Sequence, residues 1–210
     1  MIEIERLTKT YGTKVALTIE EWALPPGNSV LAGENGAGKT TLLMILAGLE
    51  QPSTGVVRIG GHSAGSRGAR AIVTFAPDEP ALFDDLTLAD QMTYVARLHG
   101  NKEPFHVAQT LRDRLCCEEL MDRFPRGMSK GQRQRAGLLV ATSRPFEVLL
   151  LDEPTTGLDE QSRQGLIELL AGLGADGLTV LSSTHDTDLL QSAERTVRVE
   201  DGLFSRAAAE

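Results

Sequence analysis

The chain has 210 residues, with 21 Lys or Arg against 29 Asp or Glu, so its formal charge is −8. That balance disfavours a general nucleic-acid binder, which needs a basic footprint, while leaving room for a local basic groove, and an apolar fraction of 41% excludes wholesale disorder. Twenty-one glycines with only 4% aromatic residues read as a single α/β domain rich in tight turns, long enough to bury its own core.

In chain order, Ile2 to Leu7 alternates apolar and polar residues, the mark of a strand. A second strand is expected near Val15 to Leu24, ended by Pro25-Pro26-Gly27. Ser29 to Ala32 is a short apolar run that stops at Gly33, as a buried strand would. From Gly38 the spacing turns helical, with Leu42, Leu43, Ile45, Leu46 and Leu49 on one face and Gly48 near the end. Val56 to Ile59 before Gly60-Gly61 predicts a strand and its turn, and Ile72 to Phe75 another, broken by Pro77 and Pro80. A helical block follows. Thr87 caps a helix whose inner face is Leu88, Met92, Val95 and Leu98; a second helix runs from Phe105 to Leu115; a third starts at Ser129. Strand, helix and strand then return at Val148 to Leu151, Leu166 to Leu170 and Thr179 to Ser182, with a late turn at Asp201-Gly202. Strand-loop-helix units at both ends with helices between them predict a mostly parallel sheet carrying an inserted helical subdomain.

No stretch approaches 18 apolar residues, so the chain is not expected to cross a bilayer itself, and its first residues lack the layout of a signal peptide. Cys116 and Cys117 are neighbours without a ligand spacing, which reads as two reduced structural thiols. His62, His99 and His106 stand in no motif.

Gly33-Glu34-Asn35-Gly36-Ala37-Gly38-Lys39-Thr40 matches GxxxxGK[ST] at every fixed position, between a predicted strand and a predicted helix. The glycines let backbone N–H groups turn inward around phosphate oxygens, and the helix start points its positive end at them. Lys39 adds a full charge near the β- and γ-phosphates, the Thr40 hydroxyl can ligate Mg²⁺, and Thr41 can reach a further phosphate. Val148 to Leu151 is an apolar strand ending in Asp152-Glu153. The alternative for this segment is two solvated acids capping a strand. Beside a phosphate loop, Asp152 is placed to hold Mg²⁺ and Glu153 to polarise a water for in-line attack.

With these motifs in this order, the chain resembles the nucleotide-binding subunit of an ABC transporter over nearly its whole length. The resemblance implies a P-loop NTPase fold with a RecA-like core (about residues 1–76 and 143–210), an antiparallel β edge and a helical subdomain (about 77–142). It implies Mg²⁺ and ATP bound between two copies facing head to tail. Tyr11 falls where the family stacks an aromatic on adenine. Ser129-Lys130-Gly131-Gln132 resembles the family signature, with Met128 for Leu and Lys130 for the first Gly; Ser129, Gly131 and Gln132 would grip the γ-phosphate held by the other copy. Thr156-Gly157-Leu158-Asp159 resembles the loop that crosses the dimer interface, and His185 the histidine that holds the γ-phosphate. Where the family often has Gln, this chain has Asp78, expected to sense Mg²⁺ and couple the helical subdomain to the site. The acid at 78 and the Met128 to Gly131 pattern look like exporter-type relatives.

The resemblance further implies a separate integral membrane permease, contacted near Asp78 to Leu88, and a peripheral position on the cytoplasmic face of the membrane. No nucleic-acid partner is expected. The chain ends soon after the histidine, so no regulatory C-terminal domain is expected either. The alternative reading is a soluble ABC ATPase without a membrane partner, such as an iron–sulfur cluster assembly ATPase. A guanine motif such as NKxD is absent, which disfavours a GTPase.

Overall fold

The computed structural model of the chain describes residues 1–200 and 202–206. Among these, ten strands form one sheet in the order β5-β4-β1-β2-β10-β9-β3-β8-β7-β6. The strands are β1 (Ile2–Tyr11), β2 (Lys14–Leu24), β3 (Gly27–Ala32), β4 (Thr54–Ile59), β5 (His62–Ser63), β6 (Val73–Ala76), β7 (Val148–Asp152), β8 (Thr179–Ser183), β9 (Arg195–Glu200) and β10 (Leu203–Arg206). The helices are α1 (Lys39–Leu46), α2 (Arg67–Ile72), α3 (Leu88–Leu98), α4 (His106–Arg114), α5 (Lys130–Ala141), α6 (Glu160–Ala175) and α7 (Thr187–Ser192). Strands β6, β7, β8, β3 and β9 pair in parallel, whereas β5, β4, β1 and β2 form an antiparallel edge.

The parallel strands read as unbroken apolar runs because they are covered on both faces. In β7, Leu149 and Leu151 face one core, while Val148 and Leu150 face the other. Val30 and Leu31 of β3 split the same way, as do Val180 and Leu181 of β8. One core joins the sheet to α3–α7 and the other joins it to α1 and the β edge. All five β7 residues are buried, so truncating Leu150 to Ala would cost about 3 kcal/mol.

Three local expectations change. Leu49 lies beyond the left-handed Gly48 and is exposed, so α1 presents Leu42, Leu43, Ile45 and Leu46 alone. In α3, Leu98 is exposed, and Gln91 and Ala96 are buried with Leu88 and Met92. A glutamine is tolerated there because its amide bonds Phe83 N, Phe83 O and Leu86 O, pinning the preceding loop. Ile72 ends α2 instead of opening a strand. That helix hides in a glycine-rich stretch, and its visible signal is the Ser66 hydroxyl accepting Ala69 N at 3.2 Å. The expected late turn falls partly on Asp201, outside the described residues.

Candidate functional site

The phosphate loop leaves β3 and enters α1 through Gly38, which sits at φ +103, where a side chain is strained. A Cβ there would also stand 2.5 Å from Leu17 and 2.7 Å from the Ala16 carbonyl oxygen, so the position requires glycine. Lys39 is nearly buried. Its ammonium donates to Gly33 O at 2.6 Å and Glu34 O at 3.1 Å, and lies 3.4 Å from His185 Nε2. Ala37 contributes backbone only: its methyl packs in the core and its N–H donates to Glu34 O at 3.2 Å.

At the end of β7, Asp152 is buried and both its oxygens accept hydroxyls, Oδ2 from Thr40 at 2.8 Å and Oδ1 from Ser183. Glu153 follows at φ +46, an uncommon conformation for a non-glycine residue, concentrated at functional sites. The turn is held by Glu153 N donating to the Ser183 carbonyl at 3.1 Å and hydroxyl at 3.2 Å. His185 leaves the end of β8, and its Nε2 is 2.8 Å from Asn35 Oδ1 and 3.4 Å from Glu153 Oε1.

These groups border a cleft of about 540 Å³ lined by Tyr11, Asn35, Gly36, Gly38, Lys39, Thr40, Thr41, Asp78, Asp152 and Glu153, all singled out from the sequence. Gly33 and His185 line an adjoining hollow with Asn35. Tyr11 is 48% exposed at the mouth, with the Lys9 ammonium 4.8 Å from its ring centre. Lys9 is in turn paired with Glu50 and holds that carboxyl below the usual range. Sequence reasoning missed several contributors, among them Ser183, Lys14, Val15, Ala16 and Gly202. Ser183 reads as an ordinary strand residue, and its only signal is a hydroxyl one step before Thr184-His185. Lys14, which also lines the cleft, carries no motif at all.

Magnesium fits the residues present. Among the described residues no three His, Cys, Asp or Glu side chains converge on a metal position. Mg²⁺ asks less, since it binds through one or two protein oxygens together with substrate phosphates and water. Thr40 and Asp152, 2.8 Å apart on the cleft, would supply those oxygens. Asp78 Oδ1 is buried on the same cleft without a hydrogen-bond partner.

Ser129, Gly131, Gln132 and Asp159 do not line that cleft. Ser129 and Gln132 form a reciprocal cap at the start of α5, with Gln132 N donating to Ser129 Oγ at 3.3 Å and Ser129 N to Gln132 Oε1 at 2.9 Å. Asp159 caps α6, and the Ser162 N–H it accepts, with Arg135 nearby, outweighs burial and holds its carboxyl below the usual range. Gly131 packs on the Gly157 carbonyl. The signature-like and interface-like segments therefore meet each other, away from the phosphate loop of their own chain.

A second groove, of about 650 Å³, opens behind Thr40 and Asp152 between α1, β6 and α5. Its walls are mostly apolar, with Met44, Leu49, Phe75, Pro80, Leu82 and Val140, and Arg70, His99 and Arg144 also border it. No helix among the described residues is long and apolar enough to cross a membrane.

A family profile described as ABC transporter matches residues 21–156. The chain is 36% identical to a sulfate/thiosulfate import ATP-binding protein of Chromobacterium violaceum, covering 96% of this chain and 59% of that one. It is 31% identical to the SkfA peptide export ATP-binding protein of Bacillus subtilis, covering 96% and 86%. It spans about half the length of two of the curated relatives it matches. Among solved structures, a dimeric ATP-binding cassette in a post-hydrolysis state with ADP and phosphate superposes with a TM-score of 0.86 at 23% identity, over all of both chains.

Proposed function

The chain belongs to the ABC transporter family, and on that premise we propose that it is the motor subunit that drives a separate membrane permease by hydrolysing ATP between two copies of itself. It is an ATPase with the P-loop fold. The reading is carried by one observation: His185 lies within 3.4 Å of Lys39 and Glu153 and 2.8 Å from Asn35, so one imidazole touches the phosphate loop and the acid beside it.

In this reading Tyr11 stacks on adenine, and Lys39 with the N–H groups opening α1 binds the β- and γ-phosphates. Mg²⁺, held by Thr40 and Asp152 with Asp78 beside them, would neutralise charge on the phosphates. Glu153 takes a proton from the water that attacks the γ-phosphorus in line, while the bond to the leaving ADP oxygen breaks. His185 holds the γ-phosphate and orients Glu153. Ser129, Gly131, Gln132 and Asp159 come from the facing copy, which fits their distance from their own cleft. The dimeric cassette with ADP and phosphate among the structural relatives supports that arrangement.

The permease docks in the apolar groove, whose wall includes Pro80, Ala81 and Leu82 from the segment expected to make that contact. The exposed Phe83–Tyr94 pair, 6.0 Å apart and edge to face, extends the apolar surface of that segment. The chain then sits peripherally at the membrane. The relatives above are named for transport, which favours this reading over a cluster-assembly ATPase.

Glu153→Gln tests it. The variant is expected to bind ATP, lose about 10²- to 10³-fold in hydrolysis and accumulate as a two-chain species with ATP on size-exclusion chromatography. Native turnover in the variant would remove Glu153 as the base. A native chain whose specific turnover survives dilution to a monomer would remove the shared site.

A further inference from the structure

Arg163 lies in the first turn of α6 and gathers three carboxylates from two helices. It donates to Glu160 of its own helix at 2.6 and 2.7 Å. Across to α7, it donates to both oxygens of Asp186 at 3.2 and 3.3 Å and to Asp188 at 2.6 Å. Glu160 and Asp188 are exposed, and exposed ion pairs contribute little. The Arg163–Asp186 pair differs, because its side chains are only 19% and 13% exposed, and removing one partner strands the other.

Asp186 directly follows His185 and caps α7, accepting N–H bonds from Asp188 at 2.9 Å and Leu189 at 3.1 Å. Its own N–H donates to Thr184 Oγ1 at 3.0 Å, so His185 is bracketed on both sides. At the other end, α6 is capped by Asp159, two residues after Gly157, which bears on Gly131 of α5. A chain of direct contacts thus runs from the signature-like helix through residues 157–159 and Arg163 to the loop carrying His185.

We propose that Arg163 is a positioning residue, which sets His185 against Glu153 and passes to it the seating of the 156–159 loop. This rests on the role given to His185 above. Arg163 touches neither the phosphate loop nor the cleft lining, so losing it leaves the phosphate-loop and Tyr11 contacts to nucleotide in place. Glu160, Asp186 and Asp188 would then repel one another without a cation, and α7 would carry His185 away from Glu153.

The test compares Arg163→Met, Arg163→Lys, Asp186→Asn and the double substitution Arg163→Met/Asp186→Asn. Asn keeps the helix cap. Expected for Arg163→Met is a fall in kcat of about 10- to 100-fold, with KM and the affinity for a fluorescent ATP analogue within about twofold of native. Arg163→Lys should restore part of kcat, and the double variant should lose less than the product of the two single losses. Native kcat in Arg163→Met, strictly multiplicative losses, or a loss confined to KM would overturn the proposal. His185→Ala is run alongside. If it turns over normally, the reading of His185 fails and takes this inference with it; if it is inactive while Arg163→Met is normal, only the present inference fails.

Discussion

Gly131 rests so closely on Gly157 that a β-carbon on the first would stand 2.3 Å from the carbonyl oxygen of the second. The oxygen is backbone and cannot swing aside, so any side chain must part α5 from the turn before α6. Gly131→Ala is therefore expected to destabilise the chain by about 1–3 kcal/mol in a denaturant melt. It should also lower turnover while leaving nucleotide affinity of the single chain unchanged, because residue 131 does not line the cleft. An unaltered melt would show that the two segments part freely.

Thr40 and Ser183 both donate to Asp152, which places that carboxylate at the focus of the hydroxyls around the phosphate loop. Asp152→Asn is expected to raise the Mg²⁺ concentration for half-maximal hydrolysis by about 10- to 100-fold. Chelation of Mg²⁺ should abolish hydrolysis in the native chain. Asp78→Asn should shift the same titration in the same direction by less. An unchanged Mg²⁺ curve would remove Asp78 from the metal.

Burial acts to raise the Asp186 carboxyl, but the N–H groups of Leu189 and Asp188 and the charge of Arg163 prevail, and its pKa falls below the usual 3.8. A carboxyl lowered on folding stabilises the fold fully above its unfolded pKa, and that stabilisation is lost as pH falls through the folded value. Asp186→Ala, which also loses the cap, should cost about 1 kcal/mol at neutral pH. The deficit should shrink once pH drops below 3.8. Denaturant titrations at neutral pH and near pH 3 would check this, and a deficit that grows with acid would reverse the sign.

The two adjacent cysteines should behave oppositely. Cys116 is exposed, whereas Cys117 is buried and its thiol pushed up to about 12 by loss of water around it. A thiol reagent at neutral pH is expected to modify Cys116 alone and to reach Cys117 only on unfolding. Peptide mapping after a short pulse reads both, and equal labelling would contradict the packing around α4.

What the sequence revealed followed from period and chemistry. Buried parallel strands such as β7 announce themselves as apolar runs, and Gly33 to Thr40 has a spacing that few other structures require. Ser129 and Thr87 were legible as caps because their partners lie three residues on. Short elements were not. Helix α7 has six residues, of which Leu189 alone is fully buried, so no periodicity could mark it. The role of Ser183 needs the register that places it beside Asp152, and register is a property of the sheet. Leu98 misled because an exposed leucine at helical spacing looks like a core residue.

The order of strands has a mechanical consequence. The phosphate loop, His185 and the Asp152-Glu153 pair issue from β3, β8 and β7, which are immediate neighbours, with Leu31 and Asp152 both in register with Ser183. Neighbouring roots lie about 4.8 Å apart, stitched together by backbone hydrogen bonds. These three roots thus form a fixed jaw, as stiff as the sheet itself. Bite and release then belong to whatever presses on it from outside, and the timing of the stroke can be retuned without disturbing the anvil.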